Sequence, residues 1–117
     1  MSNPNLLSIT SVVGNTAVAN VIDSAATLVE NQAASNTVIK LNSLLISNVD
    51  GAAAASVDVA IVRSGYAYHI AKTISVPADS TLDLINKPVY LVEGDALTTN
   101  ASANSHLQAV CSYEVLT

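Results

Sequence analysis

The chain has 117 residues and a net charge of −5, with four Lys and Arg side chains against nine Asp and Glu. Lys40, Arg63, Lys72 and Lys87 are scattered, which argues against nucleic-acid and anionic-membrane partners, since both need clustered cations. Half of the residues are apolar, yet Trp and Phe are absent, so one small core must be built from Val, Ile, Leu and Ala, residues that suit a pleated sheet.

Residues 1–5 read as a short arm and residues 6–117 as one domain. Leu6 to Val13, with Ser and Thr interleaved, predicts a first strand, and Gly14-Asn15 a turn. Two readings are open over 16–34. Val18, Val21, Ile22, Ala25 and Val29 fit a short helix. Two short strands, Val18–Ile22 and Ala26–Val29 around Asp23-Ser24, agree better with the β pattern downstream. Ser35-Asn36 opens a stronger strand. Ile39, Leu41 and Leu45 share one parity there, and Leu44 and Ile46 the other. That conflict predicts burial on both faces, or a bulge near Ser43 that shifts the phase. Asn48-Val49-Asp50-Gly51 is a turn signal, with Gly51 expected at positive φ. Ala52–Ala55 is a loop or the start of a strand.

Val57, Val59 and Ile61 alternate before Ser64-Gly65, and Tyr66, Tyr68, Ile70, Ile74 and Val76 follow it, the pattern of a β-hairpin. Tyr68 is expected in the core. Lys72 interrupts the second strand and places it at a sheet edge, where charge blocks unwanted pairing. Pro77 ends that strand, and Pro88 within 82–92 marks a break between two short strands or an edge position. Residues 98–105 read as a polar loop. Leu107, Ala109, Cys111, Tyr113 and Val115 form the last strand. The expectation is an all-β chain, a single antiparallel β-sandwich of immunoglobulin-like or jelly-roll-like type.

Reactive chemistry is sparse. The lone Cys111 shares the parity of Leu107 and Ala109 and reads as a core thiol, unable to form an internal disulfide. His69 and His106 have no nucleophile-elbow motif to serve, so no enzyme is expected. Asp79, Asp83, Glu93 and Asp95 sit at turn signals and read as turn caps rather than calcium ligands, so neither a metal nor another cofactor is expected. Asn100-Ala101-Ser102 matches a glycosylation acceptor by chance. No basic region with an apolar stretch opens the chain, and no apolar run reaches membrane-spanning length. Synthesis in a reducing cytoplasm is the expectation.

From about Leu41 onward the chain resembles small virion structural proteins of tailed phages, especially phages of cyanobacteria and other marine bacteria. The resemblance lies in Ile46-Ser47-Asn48-Val49-Asp50-Gly51, in Tyr66-Ala67-Tyr68-His69-Ile70-Ala71-Lys72-Thr73 and in Val76-Pro77-Ala78-Asp79-Ser80-Thr81-Leu82-Asp83. It continues through Lys87-Pro88-Val89-Tyr90-Leu91-Val92-Glu93-Gly94-Asp95 and Ala109-Val110-Cys111-Ser112-Tyr113-Glu114. It implies a capsid decoration or cement subunit made in the host cytoplasm and resident in the virion, contacting the major capsid protein or neck and tail proteins. A neck, tail or fibre component, or a carbohydrate- or host-surface-binding module, is the alternative. The low surface charge implies a homo-oligomer, for which a trimer suits the threefold positions of a capsid lattice. Arms and loops reach neighbours most easily, so the interface candidates are Leu6, Leu7, Ala52, Ala53, Ala54, Tyr66, Thr98, Asn100 and Asn104.

Overall fold

The computed structural model describes residues 4–117. Of the expected arm, residues 1–3 lie outside them. Nine strands follow one another among the described residues: β1 (Val12–Val21), β2 (Ala26–Glu30), β3 (Val38–Asn48), β4 (Ala55–Arg63), β5 (Tyr66–Val76), β6 (Thr81–Asp83), β7 (Val89–Leu91), β8 (Ala96–Ala101) and β9 (Leu107–Leu116). One sheet has the order β1-β9-β3-β6, with β7 also on β3, and the other has the order β2-β8-β4-β5. Every pairing is antiparallel. The chain is therefore a β-sandwich. If β6 and β7 count as one broken strand, its interleaved order is that of a jelly roll rather than an immunoglobulin sandwich.

The alternation expected for β4 and β9 places one side of each strand in the core, whereas in β5 only Ala71 and Val76 are buried and Tyr66, Tyr68 and Ile74 are exposed. Val57, Val59, Leu107, Ala109 and Cys111 are fully or almost fully buried between the sheets, with Leu41, Leu44, Ile46, Leu91 and Leu97. The phase conflict in β3 is resolved by a bulge, since its register against β9 shifts between Leu41 and Ser43. Ile39 and Leu41 before the shift, and Leu44, Ile46 and Asn48 after it, then all face inward, and Leu45 is turned out. Ser64 and Gly65 both take positive φ, 54° and 81°, as the tight β4–β5 turn requires. No helix occupies 16–34: the second half of the ten-residue β1 and then β2 do, divided at Asp23-Ser24.

Buried polar side chains tie the sheets together. Asn48 on β3 donates from Nδ2 to the carbonyls of Ala53 and Val76, both at 2.9 Å, and its Oδ1 accepts from the Asp50 amide. Asn31 donates to the carbonyls of Thr37 and Leu91 and accepts from the Ser35 and Thr37 hydroxyls. Asp95 is fully buried, and Arg63 grips it through Nε at 2.8 Å and Nη2 at 2.6 Å, while the Val92 amide donates to the same carboxylate. That hydrogen bonding, then the charge of Asp95, raises the Arg63 pKa above its usual value.

Five expectations are corrected. Leu6–Ser8 is a 3₁₀ turn capped by Asn5, whose Oδ1 accepts from the Leu7 amide, and the first strand begins only at Val12. Gly14-Asn15 is not a turn: the pair lies inside β1, opposite Glu114 and Tyr113, because pairing to β9 outweighs local turn propensity. Gly51 does not take positive φ; the turn is closed instead by Asp50, whose Oδ1 accepts from the Ala52 amide. Residues 98–101 are not loop but the last four residues of β8, where Leu97, Thr99 and Ala101 alternate inward. Tyr68 is not core: it is 60% exposed, opposite Ile61 on an edge strand, and the facing edge of the other sheet is only the short β6 and β7.

Candidate assembly surface

One set of exposed aliphatic side chains in a regular element lies on β1. Val12, Val13 and Val18 are 57%, 55% and 70% exposed. Val12 and Val18 lie on the outer face of their sheet, opposite in parity to the buried Val21, while Val13, on the inner face, is left open by a mismatch of lengths. β1 pairs with β9 along all ten of its residues, from Val12 opposite Leu116 to Val21 opposite Leu107. The neighbouring edge of the other sheet, β2, has only five residues. Val21, at the covered end, is fully buried, and the inner face of the strand is open further along at Val13. β1 is also the outermost strand of its sheet, so among the described residues its second side has no partner strand. A shallow groove lined by Val18, Ala19, Asn20, Gln108 and Val110 runs beside it.

The sequence-predicted interface residues fall in three separate places. Leu6 and Leu7, 49% and 96% exposed, precede β1 at the end of the sandwich where the Thr10 and Ser11 amides donate to the Thr117 carbonyl. Tyr66, 70% exposed, starts β5 opposite Arg63 at that same end. Ala52, Ala53 and Ala54 are exposed at the other end, with Asn104, whose Oδ1 accepts from the Asp23 amide. Thr98 and Asn100 are half-buried within β8, paired to Ala60 and Asp58 of β4. The β1 valines were missed because Gly14-Asn15 read as a turn. The available signal was ten residues without charge or proline.

Titratable side chains are dispersed. Asp83 Oδ1 accepts from the Ile85 amide, Glu93 from the Asn36 amide, and the Asp79 carboxylate lies against Gly51. Lys72 reaches Asp58 at 3.5 Å, and Lys40 reaches Glu114 at 3.9 Å. His69 is exposed on β5. His106 Nε2 stands 3.2 Å from Asp50, while its buried Nδ1 has no hydrogen-bond partner among the described residues. Among the described residues no three His, Cys, Asp or Glu side chains converge as metal ligands. Cys111 is fully buried, and burial pushes its thiol pKa up to about 11. Among the described residues no helix is long and apolar enough to cross a membrane.

No protein-family model matches the chain, and no curated protein shows significant similarity to it. Among solved structures, one similar chain is a pentameric capsid protein isolated from metagenomic phage sequences, at 18% identity and a TM-score of 0.45 over 86% of this chain. The present chain spans 59% of that protein's length. Another is from the Bacillus endospore appendages, described as a novel family of disulfide-linked pili, at 15% identity and a TM-score of 0.43. It covers 100% of this chain and 96% of its own. Likenesses of this strength carry no functional inference.

Proposed function

We propose that the chain is a structural subunit of a phage virion, a capsid decoration or cement protein that stabilises the particle through contacts between subunits. The observation that favours this reading most is β1, an uncharged ten-residue edge strand with Val12, Val13 and Val18 left in water. Monomeric proteins seldom leave such an edge open. The jelly-roll order adds support by analogy of fold, since that architecture recurs in capsid and lectin domains. The sequence resemblance from Leu41 onward points the same way. In this reading the protein is not an enzyme and holds no cofactor.

The test is quantification of the chain in purified particles, beside the major capsid protein. Decoration predicts copies in proportion to the capsid lattice and earlier rupture of particles that lack the chain. A single ring's worth of copies would indicate a neck, tail or fibre component. Absence from particles would overturn the virion reading.

A second reading, a carbohydrate- or host-surface-binding module, is favoured by one observation. Tyr66 and Tyr68 are 70% and 60% exposed, two residues apart on β5 and opposite Arg63 and Ile61. Paired aromatic faces beside polar groups suit a sugar ring. Saccharide binding lost on Tyr66→Ala, with particle occupancy unchanged, would select this reading.

A further inference from the structure

The four sheet edges are not equivalent. β5 carries Lys72, two register shifts against β4 and a positive φ of 52° at Thr73. β2 is five residues long, has a register shift between Thr27 and Val29, and ends at Glu30. β6 and β7 are three residues each, with Pro88 between them. Charge, bulges, shortness and proline are the devices that stop strand addition. β1 has none of them: its ten residues, Val-Val-Gly-Asn-Thr-Ala-Val-Ala-Asn-Val, are uncharged, free of proline and unbroken in register.

We propose that β1 pairs antiparallel with β1 of a second copy, joining the two β1-bearing sheets across a two-fold axis. The inference rests on reading the chain as an assembly subunit and names its partner. A two-fold axis perpendicular to the sheet requires one residue of the strand to face its own copy. Centring the axis on Asn15 sets Val12 opposite the second copy's Val18, Val13 opposite its Ala17 and Gly14 opposite its Thr16. Among two-fold registers, this one covers the two most exposed valines of the strand with each other, Val12 at 57% and Val18 at 70%. Among the described residues nothing lies within 4 Å of a Cβ placed on Gly14, so the surface they form at the pairing centre is open.

Charge decides whether a second copy fits, because each copy brings a net −5. The only charged residue of β9, the strand behind β1, is Glu114, opposite Gly14. In the paired sheet the two copies' β9 strands would be three strand spacings apart, about 14 Å, beyond a physiological Debye length of about 8 Å. Lys40 also lies 3.9 Å from Glu114. Asp23, just past β1, would run beside residues 4–11 of the second copy, a segment with no charge. The interface is thus uncharged and self-complementary, and it has twofold rather than threefold symmetry.

The test uses the purified full chain. Sedimentation velocity over a concentration series is expected to show a reversible dimer. Val18→Lys should weaken that dimer by about tenfold or more, since it sets a cation on the shared edge. Val49→Lys, at a valine 52% exposed and outside β1, should leave the dimer unchanged. Oxidation of Asn15→Cys should give a covalent dimer, whereas the unmodified chain, whose Cys111 is buried, should not. A chain that stays monomeric at millimolar concentration overturns the proposal. So does equal weakening by both lysine variants, or an Asn15→Cys protein that does not cross-link. A monomer that is nevertheless abundant in particles would overturn the pairing and leave the virion reading standing.

Discussion

Asn48 shows how one side chain joins the two sheets. Its amide serves two carbonyls, Ala53 and Val76, from a position 3% exposed, and its Oδ1 holds the Asp50 turn. Asn48→Ala leaves both carbonyls buried without that donor, so urea unfolding should show a loss of about 1–3 kcal/mol. Cys111 is a second test at this scale. Its thiol pKa is raised to about 11 by burial, so the folded state holds the proton where an unfolded thiol, near 8.5, releases it. Stability from this group is complete below about pH 8.5 and falls as pH rises toward 11. The difference in stability between the native chain and Cys111→Ala should shrink over that interval. A pH-independent difference would contradict the assignment. Cys111→Ser, which puts a hydroxyl in the same apolar site, should cost about 1–3 kcal/mol. The thiol should resist labelling until the protein unfolds.

Elements were legible where punctuation and periodicity agreed. Ser64-Gly65 announced its hairpin because that turn needs positive φ, and both residues adopt it. Gly65→Ala, at φ 81°, should therefore destabilise by about 1 kcal/mol in thermal or urea unfolding. The β3 bulge was legible as a clash of parities around Ser43. β1 and β8 were not, because their residues depend on partners remote in sequence. Gly14 and Asn15 favour turns in isolation, but ten pairings to β9 hold them extended. Thr98, Thr99 and Asn100 look like loop until Leu97 and Ala101 are seen buried on the inner face of the same strand. The candidate surface was hidden by that same reading of Gly14-Asn15. The expected turn at Gly14-Asn15 separates Val12 and Val13, in the expected first strand, from Val18, in the segment open between helix and strand.

At the scale of the whole molecule, strand order decides what is exposed. The interleaving of β1, β9, β3 and β6 against β2, β8, β4 and β5 joins strands far apart in the chain, so no local pattern encodes it. The body is 49 Å long but only 26 by 19 Å across, and strands of unequal length leave one end partly unroofed. Tyr66 and Tyr68 lie there, and Tyr66→Ala or Tyr68→Ala should change stability by no more than about 0.5 kcal/mol despite the size of the ring. A large loss on heating would mean that the tyrosines pack against the body after all. The most direct test of assembly through β1 is amide hydrogen exchange across residues 12–18, in dilute protein and in the assembled state. Because β9 holds only one side of the strand, the outward amides should exchange readily in dilute protein. They should become protected on assembly, while the bulged and charged β5 edge stays unchanged. Equal exchange of β1 in both states, or protection gained at β5 instead, would contradict the account.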